Sequence, residues 1–293
     1  MSGQTIGVEV HMHGIRVARV LSSSRGVQVQ HAAEARFPDG TTLASLAADP
    51  LPEALAAVLD VRQMAGRQTV VVLDHPAVFL SMFDLAAGFT DELKSSIKWY
   101  AEQYIPYPVD EAAVDFRVQD SPYAGHKTVF LVALHKSVLA KVVELLPPKR
   151  LKLRRVDGVP YALERLYRKL VAGRGEPDEP ALLVHASASG GYLVVTCEGR
   201  TESLRHVRLG EALVLSLAEK ARQTCQHYEV HHPTESVRSV YVTRSTLELD
   251  GVGETLSDEL GLPVQALGAD SAVAVAAGKA RADEPGQGWP NYA

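Results

Sequence analysis

The chain reads as a two-domain α/β protein, and three features predict this. Its 293 residues are enough for about two domains with separate cores. The polar Gly/Pro segment AGRGEPDEP at 172–180 divides it and reads as a linker. On either side of that segment, three short β-patterned runs come first and α/β alternation follows.

In order, strands are expected at 5–10, 15–21 and 26–34, separated by His13-Gly14 and by residues 22–25, which makes an antiparallel meander. A helix at 51–64 leads to TVVVL at 69–73, an unbroken apolar run that implies a strand buried on both faces. A helix at 90–104 must stop near Tyr104, because Pro106 and Pro108 push the residues before them into extended conformations. The next strand, 113–118, places Val114, Phe116 and Val118 on one face and Asp115, Arg117 and Gln119 on the other. A strand at 127–134, a helix at 135–146 stopped by Pro147-Pro148, a strand at 151–156 and a helix at 160–171 complete the first half. The second half offers strands at 181–186, 191–197 and 202–207, a helix at 211–228, a strand at 239–243, a helix at 252–260 and a short strand at 264–266. A closing helix at 271–281 and a loose tail at 283–293 end the chain.

Composition narrows the function classes. The chain is 46% hydrophobic and 22% charged with net charge −5, so it has no global basic field and nucleic acid is not an expected partner. No apolar run reaches the ~20 residues that span a bilayer, and the N-terminus lacks a signal-peptide layout. Cys197 and Cys225 fall in a strand-like and a helix-like segment, as reduced core thiols of a cytoplasmic protein would. There is no G-x-S-x-G, no P-loop and no usefully spaced Cys/His dyad. His11 and His13 alternate on an edge, while His227, His231 and His232 cluster in the other half. No carboxylate or cysteine pattern joins them, so they are read as solvated and no metal is expected. The basic run 149–155 alternates with leucines and reads as a strand with one solvated face, or as a contact for an acidic partner or anionic lipid.

The segment IKWYAEQYIPYPVDEAAVDFRV at 97–118 closely resembles the PilM family, the cytoplasmic actin-like proteins of type IV pilus assembly machines. Similar wording recurs in IGVEV at the start, LVALHKSV before the first Pro-Pro, VDGVPYALER at the linking helix and AVAAGKAR at the close, where Ala274, Ala277 and Gly278 would let helices approach. The resemblance implies an actin-like (ribonuclease-H-like) fold, with an inserted α+β subdomain at about 90–156 and a linking helix at about 160–171. The first domain is then 1–172, the linker 173–180, and the second domain 181–282, reduced because Val207-Arg208-Leu209-Gly210 runs straight into a helix.

In the actin-like fold, two β-hairpins and a Gly-rich turn hold the nucleotide phosphates and magnesium, and here each place is altered. Glu9 stands at the family aspartate, His11 replaces the adjacent glycine, and Arg16 sits where lysine is usual. His185-Ala186-Ser187 replaces the second Asp-x-Gly, Arg244-Ser245 replaces a Gly-Gly turn, and Val159 replaces the acidic residue before the linking-helix proline. Losing one preorganised group costs ~3 kcal/mol of transition-state stabilisation, so three such losses make efficient hydrolysis improbable. The expectation is a non-enzyme without a resident cofactor, a pseudo-ATPase closest to MshI-like and GspL-like relatives, with Mg-ATP binding doubtful. The resemblance further implies a groove for the N-terminal tail of a PilN-like inner-membrane protein, with Trp99, Tyr100, Tyr104, Tyr107 and Phe116 as candidate contacts. It places the chain in the cytoplasm at the inner-membrane face, with indirect membrane contact and possible contacts to the assembly ATPase or to its own copies. The rivals are an active ATPase using Glu9 on magnesium, and a filament-forming FtsA-like protein.

Overall fold

The computed structural model describes residues 3–23, 26–46, 53–58, 67–89, 92–146, 152–171, 179–187, 190–208, 213–244 and 251–267. The closing helix with Ala274, Ala277 and Gly278, the tail, Ser245 and most of the linker lie outside the described residues. The order is β1 (Gly3–His11), β2 (Gly14–Ser23), β3 (Gly26–Arg36), α1 (Glu53–Val58), β4 (Gln68–Asp74), β5 (Val78–Ala86), α2 (Leu93–Glu102), β6 (Ala112–Asp120), β7 (His126–His135), α3 (Lys136–Leu145), β8 (Lys152–Gly158) and α4 (Val159–Leu170). Then follow β9 (Ala181–Ser187), β10 (Gly190–Cys197), β11 (Arg200–Arg208), α5 (Leu213–His231), β12 (Ser239–Arg244), α6 (Val252–Leu260) and β13 (Val264–Ala266).

Two five-stranded sheets share one topology, β3-β2-β1-β4-β8 and β11-β10-β9-β12-β13. In each, three antiparallel strands are continued by two parallel ones. The meander expected at the head of each half is therefore present, and the two halves are built alike.

Ile6, Val8 and Val10 of β1 face Ile15 and Val17 of β2 in a core closed by Leu145 and Leu146 at the end of α3. The unbroken apolar run of β4 is buried on both faces, as expected: Val71 and Leu73 join this core, while Val72 packs against α4. From α4, Val159, Leu163, Tyr167 and Leu170 pack between Val72 and the second sheet's Leu183, Tyr192 and Val194. Their three- and four-residue spacing forms one helical stripe. Pro160 suits the first turn, and Arg168 and Lys169 in the last turn complement the helix dipole. The other face of the second sheet packs against α5 and α6.

The third sheet is three-stranded, β5-β7-β6. Val114, Phe116 and Val118 pack beneath α2 with Val129 and Leu131, as the alternation predicted. The helix α2 ends at Glu102, and the amide of Ile105 still bonds the Ala101 carbonyl (2.9 Å) before the prolines force extension.

Three expectations fail here. The strand β5 was not foreseen, so this sheet begins at Val78 rather than near 90. The strand β8, placed in the insert by the 90–156 boundary, is instead the edge of the first five-stranded sheet. The basic strand also lacks a buried leucine face, since Leu153 is 38% exposed. A bulge explains this: Thr69 pairs with Leu153 but Val70 pairs with Arg155, so Arg154 is extra and the alternation breaks.

Candidate functional site

Cross-strand register builds a charged cluster on the first sheet. Arg16 is opposite Glu9 on β1 and opposite Glu34 on β3. Its Nη1 donates to Glu9 Oε2 (3.2 Å), its Nε to Glu34 Oε2 (3.0 Å) and its Nη2 to Glu34 Oε1 (3.3 Å). Such directly opposed unlike charges are the favoured pairing of neighbouring strands. Burial opposes the Arg16 charge, but Glu9 and Glu34 outweigh it and hold its pKa above the ordinary value. Burial pushes the Glu9 carboxyl up, with Arg16 acting in the opposite direction.

His11, two residues along β1, is buried, and its Nδ1 accepts from the His13 amide (3.3 Å). Burial and then the Arg16 charge push it down to about 4, so it is neutral at pH 7. Asp74, the last residue of β4, pairs in register with His11 and is 1% exposed.

The second sheet brings one side chain to this cluster. His185 of β9 lies opposite Thr243 of β12, and its Nδ1 is 2.7 Å from the Thr243 hydroxyl. Its Nε2 is 3.7 Å from Asp74 Oδ2. Glu9, Asp74 and His185 thus converge from β1, β4 and β9, each offering a ligand atom within 4.8 Å of the others. Among the described residues this trio is the set able to hold a metal ion.

Of the residues expected at the phosphate positions, Glu9, His11, Arg16 and His185 are brought together. Ser187 lies in the second hairpin, where its hydroxyl donates to the Gly190 carbonyl (3.3 Å). Arg244 ends β12 in register with Ala186, and Ser245 is outside the described residues. Sequence reasoning missed Asp74. The available signal was a carboxylate directly after the apolar run Val70–Leu73, a position that faces the next element rather than solvent.

The five aromatics assigned to a partner groove gather on the α2 face of the three-stranded sheet. Phe83 stacks on Tyr104 (5.0 Å between centroids), Trp99 meets Tyr100 edge-on (5.0 Å), and Phe116 lies in the core beneath α2. Tyr107 packs on His135 (5.4 Å), and Trp99 is 61% exposed. A separate apolar groove lies on the opposite face, where this sheet meets the first one. Leu73, Val78, Val132, Leu134, Leu139 and Val156 line it, with Ala113, Val114 and Asp115 of β6 along one wall. In the three-stranded sheet β6 is an edge strand.

Of the clustered histidines, His227 and His231 meet edge-on (4.5 Å) and His232 stacks on Tyr228 (4.3 Å). Tyr123, in the turn after β6, hydrogen-bonds His231 (2.5 Å). No helix among the described residues is long and apolar enough to cross a membrane.

Comparison with solved structures places this architecture. The chain is similar to a PilM–PilN type IV pilus biogenesis complex, at 19% identity over 90% of this chain and 88% of that one, with a TM-score of 0.66. It resembles a Bacteroides thetaiotaomicron protein of actin-like ATPase fold and unknown function (8% identity, 89% and 90% covered, TM-score 0.54). It also resembles the cytoplasmic domain of EpsL, an inner-membrane component of the Vibrio cholerae type II secretion system (14% identity, 88% and 94% covered, TM-score 0.52). The fold is therefore actin-like, with the three-stranded sheet and α2 as its insert. The model of the type IV pilus assembly protein PilM matches residues 7–195, nearly two-thirds of the sequence and all three sheets in part, and the chain belongs to that family.

Proposed function

We propose that this protein is a cytoplasmic adaptor of a type IV pilus or type II secretion assembly platform, one that holds the N-terminal tail of a PilN-like inner-membrane protein and does not turn over ATP. The observation that carries the reading is the apolar groove between the insert and the first sheet, bordered by the edge strand β6. An extended tail fits such a place, with main-chain bonds to the strand edge and alternate apolar side chains in the groove. Each fully buried Leu or Ile contributes roughly 1.5–3 kcal/mol, so three anchors supply about 4.5–9 kcal/mol toward the ~8 kcal/mol of micromolar affinity, and the main-chain bonds to the strand edge must offset the cost of association. Membrane association then runs through the partner, and contacts with the assembly ATPase or with further copies belong to the same platform.

The absence of turnover rests on the donor set. Glu9, at the family's magnesium aspartate, is bridged to Arg16 at 3.2 Å. His11 fills space that a glycine leaves for phosphate, and Glu9, Glu34 and Asp74 surround the position with negative charge. A triphosphate would meet carboxylates rather than backbone amides, so Mg-ATP does not fit these residues in the usual way.

Calorimetric titration with the partner's tail peptide tests the first part. Ala113→Arg, in the groove wall, should weaken binding at least tenfold, whereas Trp99→Ala, on the other face, should leave it unchanged. The reverse pattern would move the site to the α2 face, and no binding by the wild type would remove the adaptor reading. Titration with Mg-ATP to a millimolar should give no heat, and measurable turnover lost in Glu9→Ala would return the enzyme reading.

A further inference from the structure

We propose that the edge strand β6 selects its tail by charge and register: a Lys or Arg opposite Asp115, and a large apolar side chain two residues away, opposite Ala113. The inference rests on the adaptor reading above and specifies what the groove accepts.

The strand sets the pattern. Successive side chains of β6 point to opposite faces, and Val114, Phe116 and Val118 pack under α2. Ala113 and Asp115 line the groove on the other face, and Arg117 leaves that same face for Glu164 of α4. Register on the neighbouring strand agrees. On β7, Leu134 lies opposite Ala113 and Val132 opposite Asp115, and both line the groove. A tail added to the free edge of β6 would face these residues one to one, with opposed Cβ atoms ~5 Å apart. Its side chains on the groove face would then recur at every second position, whichever way the tail runs.

Ala113 is the small position. Its methyl group borders a space lined by Leu134 and Leu139, which a branched or aromatic side chain of the tail can fill. Asp115 is the charged position. It is exposed, its Oδ1 accepts from the Phe116 amide (2.8 Å), and no cation forms an ion pair with it among the described residues. The arginines around it are committed elsewhere. Arg117 makes two bonds to Glu164, and Arg155 and Arg165 both reach Asp157 Oδ2 (2.9 and 2.6 Å). Asp157 lines the groove too, so one of its carboxylates is paired from within and Asp115 is left to the tail.

The partner's chemistry matches. Cytoplasmic segments within about 15–20 residues of a membrane span carry an excess of Lys and Arg, and a short N-terminal tail lies in that zone. Unlike charges directly opposed on adjacent strands are favoured. At the exposed rim such a pair fixes register and partner choice more than it adds affinity.

The probe is a synthetic peptide of the PilN-like partner's cytoplasmic tail, titrated calorimetrically into the full-length protein. Copies carry Gln or Glu in place of each Lys and Arg in turn. One position should stand out, weakening roughly threefold as Gln and about tenfold as Glu, with a large apolar residue two positions from it. Asp115→Asn should weaken the parent peptide by the same factor and add nothing to the loss in that Gln copy. Asp115→Lys should prefer the Glu copy, a reversal that damage to the fold cannot produce. Equal effects at every Lys and Arg, or an unreversed preference in Asp115→Lys, would overturn the inference while leaving the tail in its groove. So would tighter binding of the Glu copy by the wild type. No binding of the parent peptide would remove the adaptor reading and this inference with it.

Discussion

Cys197 and Cys225 are both buried thiols outside any disulfide, and burial raises them to about 11 and about 12. Only the thiolate attacks disulfide reagents, so at pH 8 each reactive fraction is on the order of a hundredfold or more below that of an ordinary thiol. Native protein should therefore leave both unmodified by a chromogenic disulfide on a timescale of minutes, and both should react at once in urea. Fast labelling of the native state would contradict the packing around β10 and α5. At this scale much of the site was legible in the sequence, because Glu9, His11, Arg16 and His185 were found by matching hairpin positions. Asp74 was not, since its role depends on a partner 111 positions away, and no local period records that. The groove lining was missed for a related reason. Leu73, Leu134 and Val156 fall in strands that read as ordinary and Val78 in no predicted element, and only the meeting of two sheets leaves a gap between them.

Among the elements, the β1–β2 turn is the tightest packing point. A Cβ on Gly14 would lie 2.3 Å from the Ala35 carbonyl oxygen, and since that atom is backbone, β2 and β3 would have to separate. Gly14→Ala should cost about 2–4 kcal/mol, lowering the melting temperature by roughly 10 °C. Gly40→Ala provides the contrast. Its φ is +71° but nothing lies within 4 Å, so only the left-handed penalty of roughly 1–2 kcal/mol applies. Equal losses in the two variants, measured by thermal melting, would mean that the strands yield without strain. Element recognition from sequence followed the same physics. β6 was found because one face meets α2 and the other meets α4, which keeps period two clean. β5 was missed because both its faces carry apolar side chains: Phe79, Phe83 and Leu85 toward α2, Val78 and Leu80 toward the first sheet. Its one interior carboxylate, Asp84, looks like a break but is satisfied across the strand by the Thr128 hydroxyl (2.7 Å).

The whole molecule is joined through Glu164, a 1% exposed carboxylate within the apolar stripe of α4. Arg117 of the insert grips it with two bonds (2.9 and 2.8 Å), Thr201 of the second half donates to it (2.7 Å), and Arg168 completes the set. Gln119 reaches the Thr201 carbonyl beside them (2.7 Å), so insert, linking helix and second half share one network. Burial raises the Glu164 carboxyl, but its bonds to Arg117 and Thr201 lower it more, and the net shift is below the ordinary 4.5. A depressed carboxylate stabilises the fold above its unfolded pKa, and that contribution is lost as pH falls through the folded one. Arg117→Met keeps the stacking volume over Phe130 but leaves Glu164 with fewer partners. Because the Arg117 side chain is 36% exposed, the cost is about 1–3 kcal/mol rather than that of a fully buried pair. At pH 7 the variant should melt several degrees below the wild type, and the gap should narrow steadily below pH 4.5 as Glu164 takes up its proton. Calorimetry should also show a broader transition in the variant, because the network is what couples the insert to the second half. A pH-independent gap would assign the loss to packing alone, and an unbroadened transition would mean that α4 couples the halves through its apolar stripe without the help of its buried charge.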